Sequence, residues 1–473
     1  MIILLFCALL FAIKIMNIRL VYTLGGNTFI TLILFCTFFL TSCKYQPVEI
    51  NIFHVNDIHG AIDQIPALSA ELKKRKTKNN LVVSAGDLFS GNPYVDQYPE
   101  KGFPIIDGMN KIGFHYSALG NHEFDYGLNT LAQRIKQADF RFLCCNIYGQ
   151  SDVVRMIKPY DSVTISGKKI LLIGVLQTDY TGYPQTNHDS LVNISFSDGI
   201  NAVTSYKSIS ERFDACIVLS HLGLQNDIRL AQQTNFIDII IGGHSHSLID
   251  TFLKINQSVI VQAGSNLDYL GMLTLFFDRH NKLSVSSEII SLTDYKEPDS
   301  LMIVWYNNFK KNNFLKTIIG FNKKTLYGNK EIGQLLTQAI LFAGKADIAL
   351  HPSGGVRLDS LLAGNISLET VYSLDPFVNE IVCTELPADS VNSLLQRIAG
   401  KKDYESVLYA GNVPGSQEQI QFPVPKNQKY LYKVCSGKYL YNKIIHSSVL
   451  KSTGVTTSEA LIRYIQSVDT IVF

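Results

Sequence analysis

The sequence predicts an α/β protein in two parts. The first is a four-layer α/β/β/α sandwich, with two sheets between outer helices; the second is a further α/β domain. Three observations lead there. Apolar runs of strand length alternate with amphipathic stretches of helical period up to residue 292. Five of those runs end in Asp, Asn or His side chains. A polar stretch, NNFKKNN at 307–313, then precedes a fresh helix, strand and tight turn that ends in HPSGGVR at 351–357.

In chain order, residues 48–55 alternate into a strand. Residues 63–78 follow as an amphipathic helix with Ile65, Leu68 and Leu72 on one face. Residues 81–85 read as a strand, 103–113 as a helix closed by Gly113, and 128–138 as a second helix. Strands follow at 140–146 and 169–176. Residues 199–210 read as one helix, with Ser197 or Asp198 as its cap. The strand around Cys216, a helix at 223–234 and the strand from Ile237 come next. Residues 259–262, 271–278 and 283–292 complete the strands of the first part. A linker at 294–320 carries a short helix, 299–306, with the single tryptophan, Trp305. Beyond it, 331–342 is a helix with Leu335, Leu336 and Ala339 inward, and 346–350 is a strand. Gly354 and Gly355 let a backbone approach closely in the turn that follows.

The five strand ends carry the chemistry. FHVNDIHG (53–60) supplies Asp57 and His59, and VVSAGD (82–87) supplies Asp87. GNHEFD (120–125) supplies Asn121, His122 and Asp125. CIVLSHLG (216–223) supplies His221, and IDIIIGGHSH (237–246) supplies His244 and His246. Ligands in open α/β sheets bind beyond the carboxyl ends of strands, so these ends are expected to converge. Imidazole and oxygen donors in this mix suit divalent ions such as Zn, Mn, Fe or Co. Seven candidate ligands exceed one tetrahedral ion and suit two ions sharing a carboxylate, a device common in phosphate-ester hydrolysis.

These blocks resemble the calcineurin-like phosphoesterases, and the whole chain resembles the 5′-nucleotidases. The family pattern D-x-H-G, G-D-x-x-x-G, G-N-H-E, S-H-x-G and G-G-H-S-H stands here as DIHG, GDLFSG, GNHE, SHLG and GGHSH. The resemblance implies that Asp57, His59, Asp87 and His246 hold one ion. Asp87, Asn121, His221 and His244 would hold the other, with Asp87 bridging. It makes His122 the catalytic histidine and Asp125 its orienting partner. KADIALHPSGGVR followed by DPFVNE resembles the family's substrate-binding domain, placed here at 321–473 after a catalytic domain at 43–293. Arg357 would then contact phosphate through its planar fork, and Phe377 would stack on a base. The chain departs from that pattern. Pro352 stands where the family has Asn, Val378 where it has Gly, and the G-G-D-G-Y segment with its second stacking aromatic is missing. VCSGKYLYNK occupies its place, so Tyr439 or Tyr441 is the nearest substitute.

Residues 1–42 read as a leader outside the fold. An apolar run at 28–40 is shorter than the ~20 residues of a membrane span and ends in Leu40-Thr41-Ser42-Cys43. That ending resembles a bacterial lipobox, which implies cleavage before Cys43, a lipid on its thiol and a place in the cell envelope. The whole chain of 473 residues has a formal net charge of +2, and bulk charge gives nucleic acid no footing. Lys73-Lys74-Arg75-Lys76 reads as a solvated helix end. Cys216 reads as a core thiol, and Cys383 and Cys435 are left as a possible pair. The expected activity is hydrolysis of nucleoside 5′-phosphates. The alternatives are 2′,3′-cyclic nucleotides, nucleotide sugars, a non-nucleotide phosphate ester, or a binding lipoprotein with an inactive metal site.

Overall fold

The computed structural model describes residues 47–186, 190–311, 313–377, 379–399, 407–411, 431–445 and 449–471. The leader, Cys43 and Val378 lie outside them. One compact unit holds residues 49–275 and 283–473. The other is, among the described residues, 47–48 and a hairpin tip at 276–282, closed by hydrogen bonds from Asn281 and Lys282 to Asp278.

Two six-stranded sheets form the first part. The strands are β1 (Val48–Val55), β2 (Asn80–Ser84), β3 (Tyr116–Ala118), β4 (Arg141–Leu143), β5 (Tyr160–Ile165), β6 (Lys168–Leu176) and β7 (Ala215–His221). They continue with β8 (Ile239–Gly242), β9 (Leu253–Ile255), β10 (Ser258–Val261), β11 (Tyr269–Phe277) and β12 (Leu283–Ser291). One sheet runs β12-β11-β1-β2-β3-β4 and the other β9-β10-β8-β7-β6-β5. β1 to β4 are mutually parallel, as are β6, β7, β8 and β10. Parallel strands are buried on both faces, which explains the near-continuous apolar runs of β7 and β8.

Helices cover the outer faces. α1 (Ile65–Arg75), α2 (Phe103–Ile112) and α3 (Leu128–Gln137) flank the first sheet; Ile65, Leu68, Leu72, Ile105, Ile106 and Met109 share a core with Phe53, Val55 and Val82. α4 (Gly199–Thr204) and α5 (Leu224–Gln233) cover the second through Val203, Leu230 and Ala231. Four layers result, as the sequence predicts. The expected single helix at 199–210 is instead two: α4, capped by Asp198 on Asn201 N–H, and a separate turn, Lys207–Ser210. The strand expected at 140–146 is only β4, because Cys144 and Cys145 turn away to hydrogen-bond Lys158 and Gly174. Edge strand β5 was not anticipated; its residues are half-buried or exposed in alternation. The basic cluster is only partly solvated: Lys73 pairs with Asp299 at 2.6 Å and Arg75 with Glu71 and Glu288.

α6 (Ser300–Phe309) is capped by Asp299, and Trp305 Nε1 donates to Asp107 on α2 at 2.6 Å. After it, α7 (Gly328–Gly344) packs on a five-stranded sheet of β13 (Ile348–Pro352), β14 (Glu380–Pro387), β15 (Val407–Gly411), β16 (Leu431–Gly437) and β17 (Lys451–Thr456). Its order is β15-β13-β16-β14-β17. Cys383 and Cys435 face each other across β14 and β16 and are joined as a disulfide. Short α8 (Lys438–Ile444) follows β16, and α9 (Thr457–Val468) starts from a Thr456–Glu459 capping box.

One buried group is out of keeping with this core. His54 on β1 is fully buried, and neither ring nitrogen has a hydrogen-bond partner. Its imidazole fills the space over Gly271, where a Cβ would lie 2.1 Å from the ring. Burial lowers its pKa from 6.5 to about 3. The unfolded chain therefore binds the extra proton between those values, and stability present above pH 6.5 is lost as pH falls toward 3. His54→Leu is expected to remove that dependence, a gain of about 2 kcal/mol near pH 5 at 1.36 kcal/mol per pKa unit. Urea melts of both proteins at pH 5 and 7.5 measure it; equal acid losses would count against His54 as the cause.

Candidate active site

The parallel strands of both sheets aim their carboxyl ends at one place. Backbone pairing runs past the strand ends: Asp57 N–H bonds Gly86 O and His59 N–H bonds Asp87 O, each at 3.0 Å. The loops after β1 and β2 are thereby locked together, with Asp57, His59 and Asp87 on them. β3 leads through Gly120 to Asn121 and His122, β7 ends on His221, and β8 leads to His244 and His246.

All seven sequence-predicted ligands meet there. The donor atoms of Asp57, His59 and His246 lie within 4.8 Å of one another, and so do those of Asp87, His221 and His244. A third grouping of His59, Asp87 and His122 spans the two. Asn121 Oδ1 is 3.0 Å from His244 Nδ1. Only His246 is substantially open, with 35% of its side chain exposed.

The donor chemistry fits divalent cations. His59 Nδ1 lies 3.0 Å from Ser90 O and His221 Nδ1 lies 2.7 Å from Ala85 O. Those contacts place the ring protons on Nδ1 and turn each Nε2 toward the cluster, where the His221 Nε2 faces Asp87 Oδ2 at 3.0 Å. His59 Nε2 then faces His246 Nε2 at 3.1 Å, close enough for one cation to engage both rings. Burial, and after it the charge of Arg357, holds His59 well below its usual pKa. Burial and then His221 lower His244 to about 4. His221 goes the other way, to about 10: burial opposes its charge, but Asp87 and Asp57 outweigh burial. A proton held that strongly between buried carboxylates marks a place for positive charge.

Left-handed backbone is concentrated in these loops. Asp57, His59, Asp87, His244 and His246 all have φ between 48° and 71°, and Ser90 has 53°. Such conformations persist outside glycine only where the surroundings enforce them, and they cluster at functional sites. Gly120 is required for a different reason: a Cβ there would lie 2.1 Å from Asp87 Oδ1.

Beside the ligands, His122 Nδ1 donates to Asp125 Oδ2 at 2.7 Å. Burial disfavours the charged ring, but Asp125 and Asp87 raise its pKa above the usual value. Several functional neighbours were not singled out from sequence. Glu123 is fully buried and accepts from the N–H groups of Asp87, Leu88 and Gly120, fixing the loop that carries Asp87. A charged residue inside the apolar setting of GNHE was the available signal. Thr186 donates to Asp125 Oδ1 at 3.1 Å, and Gln185 O accepts from Asn121 Nδ2 at 3.1 Å. Ser90 touches both His59 and Asp125. No sequence pattern points to these last three.

The second part supplies the opposite wall of a cavity of about 1080 Å³. Gly354, Gly355, Arg357, Phe377 and Tyr439 all line it with Asp87, Asn121 and His122. Phe377 stacks on the His122 ring at 5.5 Å, and Arg357 lies over the Phe377 ring at 5.1 Å. Of the two tyrosine candidates, only Tyr439 borders the cavity. Tyr441 is buried in α8 with its hydroxyl on Val449 O, because helical spacing turns it into the core.

Parallel sheets back to back, a ring of buried Asp, Asn and His donors at their carboxyl ends and an adjacent His–Asp pair define a metal-dependent phosphoester hydrolase. Residues 50–248 match the family model for calcineurin-like phosphoesterases, and residues 316–435 match the model for the 5′-nucleotidase C-terminal domain. The chain belongs to the 5′-nucleotidase family. It is 27% identical over 510 residues to Protein UshA of Yersinia enterocolitica, covering 89% of this chain and 92% of that one. It is 22% identical over 406 residues to the Trifunctional nucleotide phosphoesterase protein YfkN of Bacillus subtilis. That match takes 74% of this chain but spans only 27% of the longer relative. The fold is similar to the crystal structure of a 5′-nucleotidase precursor from Thermus thermophilus, with a TM-score of 0.77 at 22% identity over 90% of this chain and 97% of that one.

Proposed function

We propose that the chain is a two-metal phosphomonoesterase that releases phosphate from nucleoside 5′-phosphates in the bacterial cell envelope. The observation that carries this reading is the pair of donor clusters joined by the grouping of His59, Asp87 and His122, with the His122–Asp125 pair beside them. Two ions such as Zn, Mn or Co would polarise phosphoryl oxygens and acidify water. His122, whose charged form is favoured by two carboxylates against burial, is placed to donate a proton to the leaving oxygen, and Asp125 fixes its tautomer. Arg357 takes the phosphate, Gly354 and Gly355 admit it closely, and Phe377 and Tyr439 offer aromatic surface to a base. Names of relatives, a trifunctional nucleotide phosphoesterase among them, support nucleotides as the substrate class.

Cavity size favours keeping a second reading, a phosphodiesterase acting on cyclic nucleotides or nucleotide sugars. At about 1080 Å³ the cavity stands at the upper end of ligand pockets. Phe377 is already engaged by His122 and Arg357, and both contacts compete with a base for its faces. Weak base discrimination is therefore expected, since a lost stacking partner removes ~1–3 kcal/mol. The test is phosphate release by chelated and then Mn-, Co- or Zn-loaded protein from nucleoside monophosphates, cyclic nucleotides, nucleotide sugars, p-nitrophenyl phosphate and bis-p-nitrophenyl phosphate. Monoester turnover only in the loaded protein is expected, with Phe377→Ala harming nucleotides more than p-nitrophenyl phosphate. Preference for the diesters selects the second reading. Turnover of none leaves a binding lipoprotein.

The envelope location rests on LTSC at 40–43 after an apolar run and on the Cys383–Cys435 disulfide, a bond that persists in oxidising compartments. Cys43→Ser is expected to move the protein from the membrane fraction to the soluble fraction. Continued membrane attachment with the leader uncut would point to a spanning anchor.

A further inference from the structure

We infer that Ser90 is a positioning residue that ties the His122–Asp125 pair to the loop holding His59, so that the proton donor and the metal ligand keep a fixed separation. The inference rests on the site reading above and adds a residue to it. Ser90 uses every polar group it has. Its carbonyl accepts from His59 Nδ1 at 3.0 Å. Its hydroxyl donates to Asp125 Oδ2, the same oxygen that receives His122 Nδ1, and lies 3.3 Å from that nitrogen. Its N–H donates to Tyr126 Oη at 3.1 Å, and that hydroxyl in turn donates to the buried carboxylate of Asp96.

Asp96 closes the circuit by accepting from Gly91 N–H at 3.0 Å, so the turn on either side of Ser90 is pinned. Ser90 is buried, with 1% exposure and φ of 53°. A serine in that conformation is strained relative to glycine, and the three contacts hold it there. Remove the hydroxyl and Asp125 Oδ2 keeps only His122, with one fewer restraint on the rotation of the pair. The other carboxylate oxygen remains on Thr186. Ser90 is not among the residues that line the cavity, whereas Asp125 and His122 are, so it acts through Asp125.

Two variants test this, Ser90→Ala and Ser90→Gly; the second also relieves the positive φ, so it guards against a folding failure. Turnover of metal-loaded protein is expected to fall tenfold to a hundredfold, the usual scale for an outer partner of a site residue. KM for p-nitrophenyl phosphate and bound metal should be unchanged. The loss should be greater for an alkyl phosphate, whose leaving group needs a proton, than for p-nitrophenyl phosphate. Combined with Asp125→Asn, either variant should cost little more than Asp125→Asn alone. Wild-type turnover, losses that multiply with Asp125→Asn, or lost metal with full turnover on reloading would each overturn the proposal. The Nδ1 proton of His122, followed at one pH by NMR in 15N-histidine-labelled protein, gives a readout independent of activity. A shift in Ser90→Gly supports the tie even should the wild-type protein hydrolyse none of the esters. An unmoved resonance counts against it.

Discussion

Asp87→Asn should abolish metal loading at one or both positions and lower turnover by more than ~10²-fold, beyond the range seen for outer partners of metal sites. No other carboxylate belongs to two of the donor clusters. Asp87 Oδ2 is 3.0 Å from His221 Nε2, and Oδ1 accepts the His122 N–H at 2.9 Å. Burial disfavours its charge, but His221 and His122 keep it ionised well below the usual carboxylate range. Asparagine preserves the shape and removes the charge, leaving both donor clusters that include Asp87 without a carboxylate. The φ of 54° is no obstacle, because asparagine tolerates that region as well as aspartate does. Elemental analysis and phosphate release on the purified variant measure the outcome. Two retained equivalents with wild-type turnover would exclude a bridging role.

His122→Ala should do the reverse, keeping the metals and losing turnover by ~10²–10⁴-fold, the range of a positioned proton donor. His122 contacts Asp125, Ser90 and the Phe377 ring, and it shares only one of the three donor groupings. Because Asp125 and Asp87 raise its pKa, the donor form extends upward in pH, and its contribution falls as pH rises through that raised value. The variant should lose the alkaline fall in turnover that this titration imposes. Phe377→Ala, which removes the same ring contact and keeps the imidazole, checks on p-nitrophenyl phosphate that the lost stacking is not the cause. A variant stripped of metal, but fully active once reloaded, would reassign the residue.

The fold was legible wherever burial imposed a period. β1 was read to the residue, and α2 with its Gly113 end needed only apolar spacing and a glycine. Breaks were not legible. Nothing in the sequence announces that 199–210 divides at Ser205, where local turns replace helical pairing. The candidate ligands were legible because seven donors at strand ends have no apolar explanation. Their supports were not: Ser90, Gln185 and Thr186 act through a carbonyl or hydroxyl that looks the same in any loop. Which of the two tyrosines borders the cavity was settled only by the helical phase of α8, which puts Tyr439 there and Tyr441 in the core.

The left-handed turns have a consequence for redesigning the metal preference of the site. Asp, Asn and His are the non-glycine residues that enter this region most readily. Cys and Glu, equally able ligands, are not among them, so five of the seven positions are restricted by dihedral angle before any coordination chemistry applies. Asn121, with φ of −75°, and His221, at the end of a regular strand, are free of that restriction. Both border the same cluster. A thiolate or a longer carboxylate meant to select a softer or harder ion has its best entry there, and any such change falls on the cluster of Asp87, His221 and His244 rather than that of Asp57, His59 and His246.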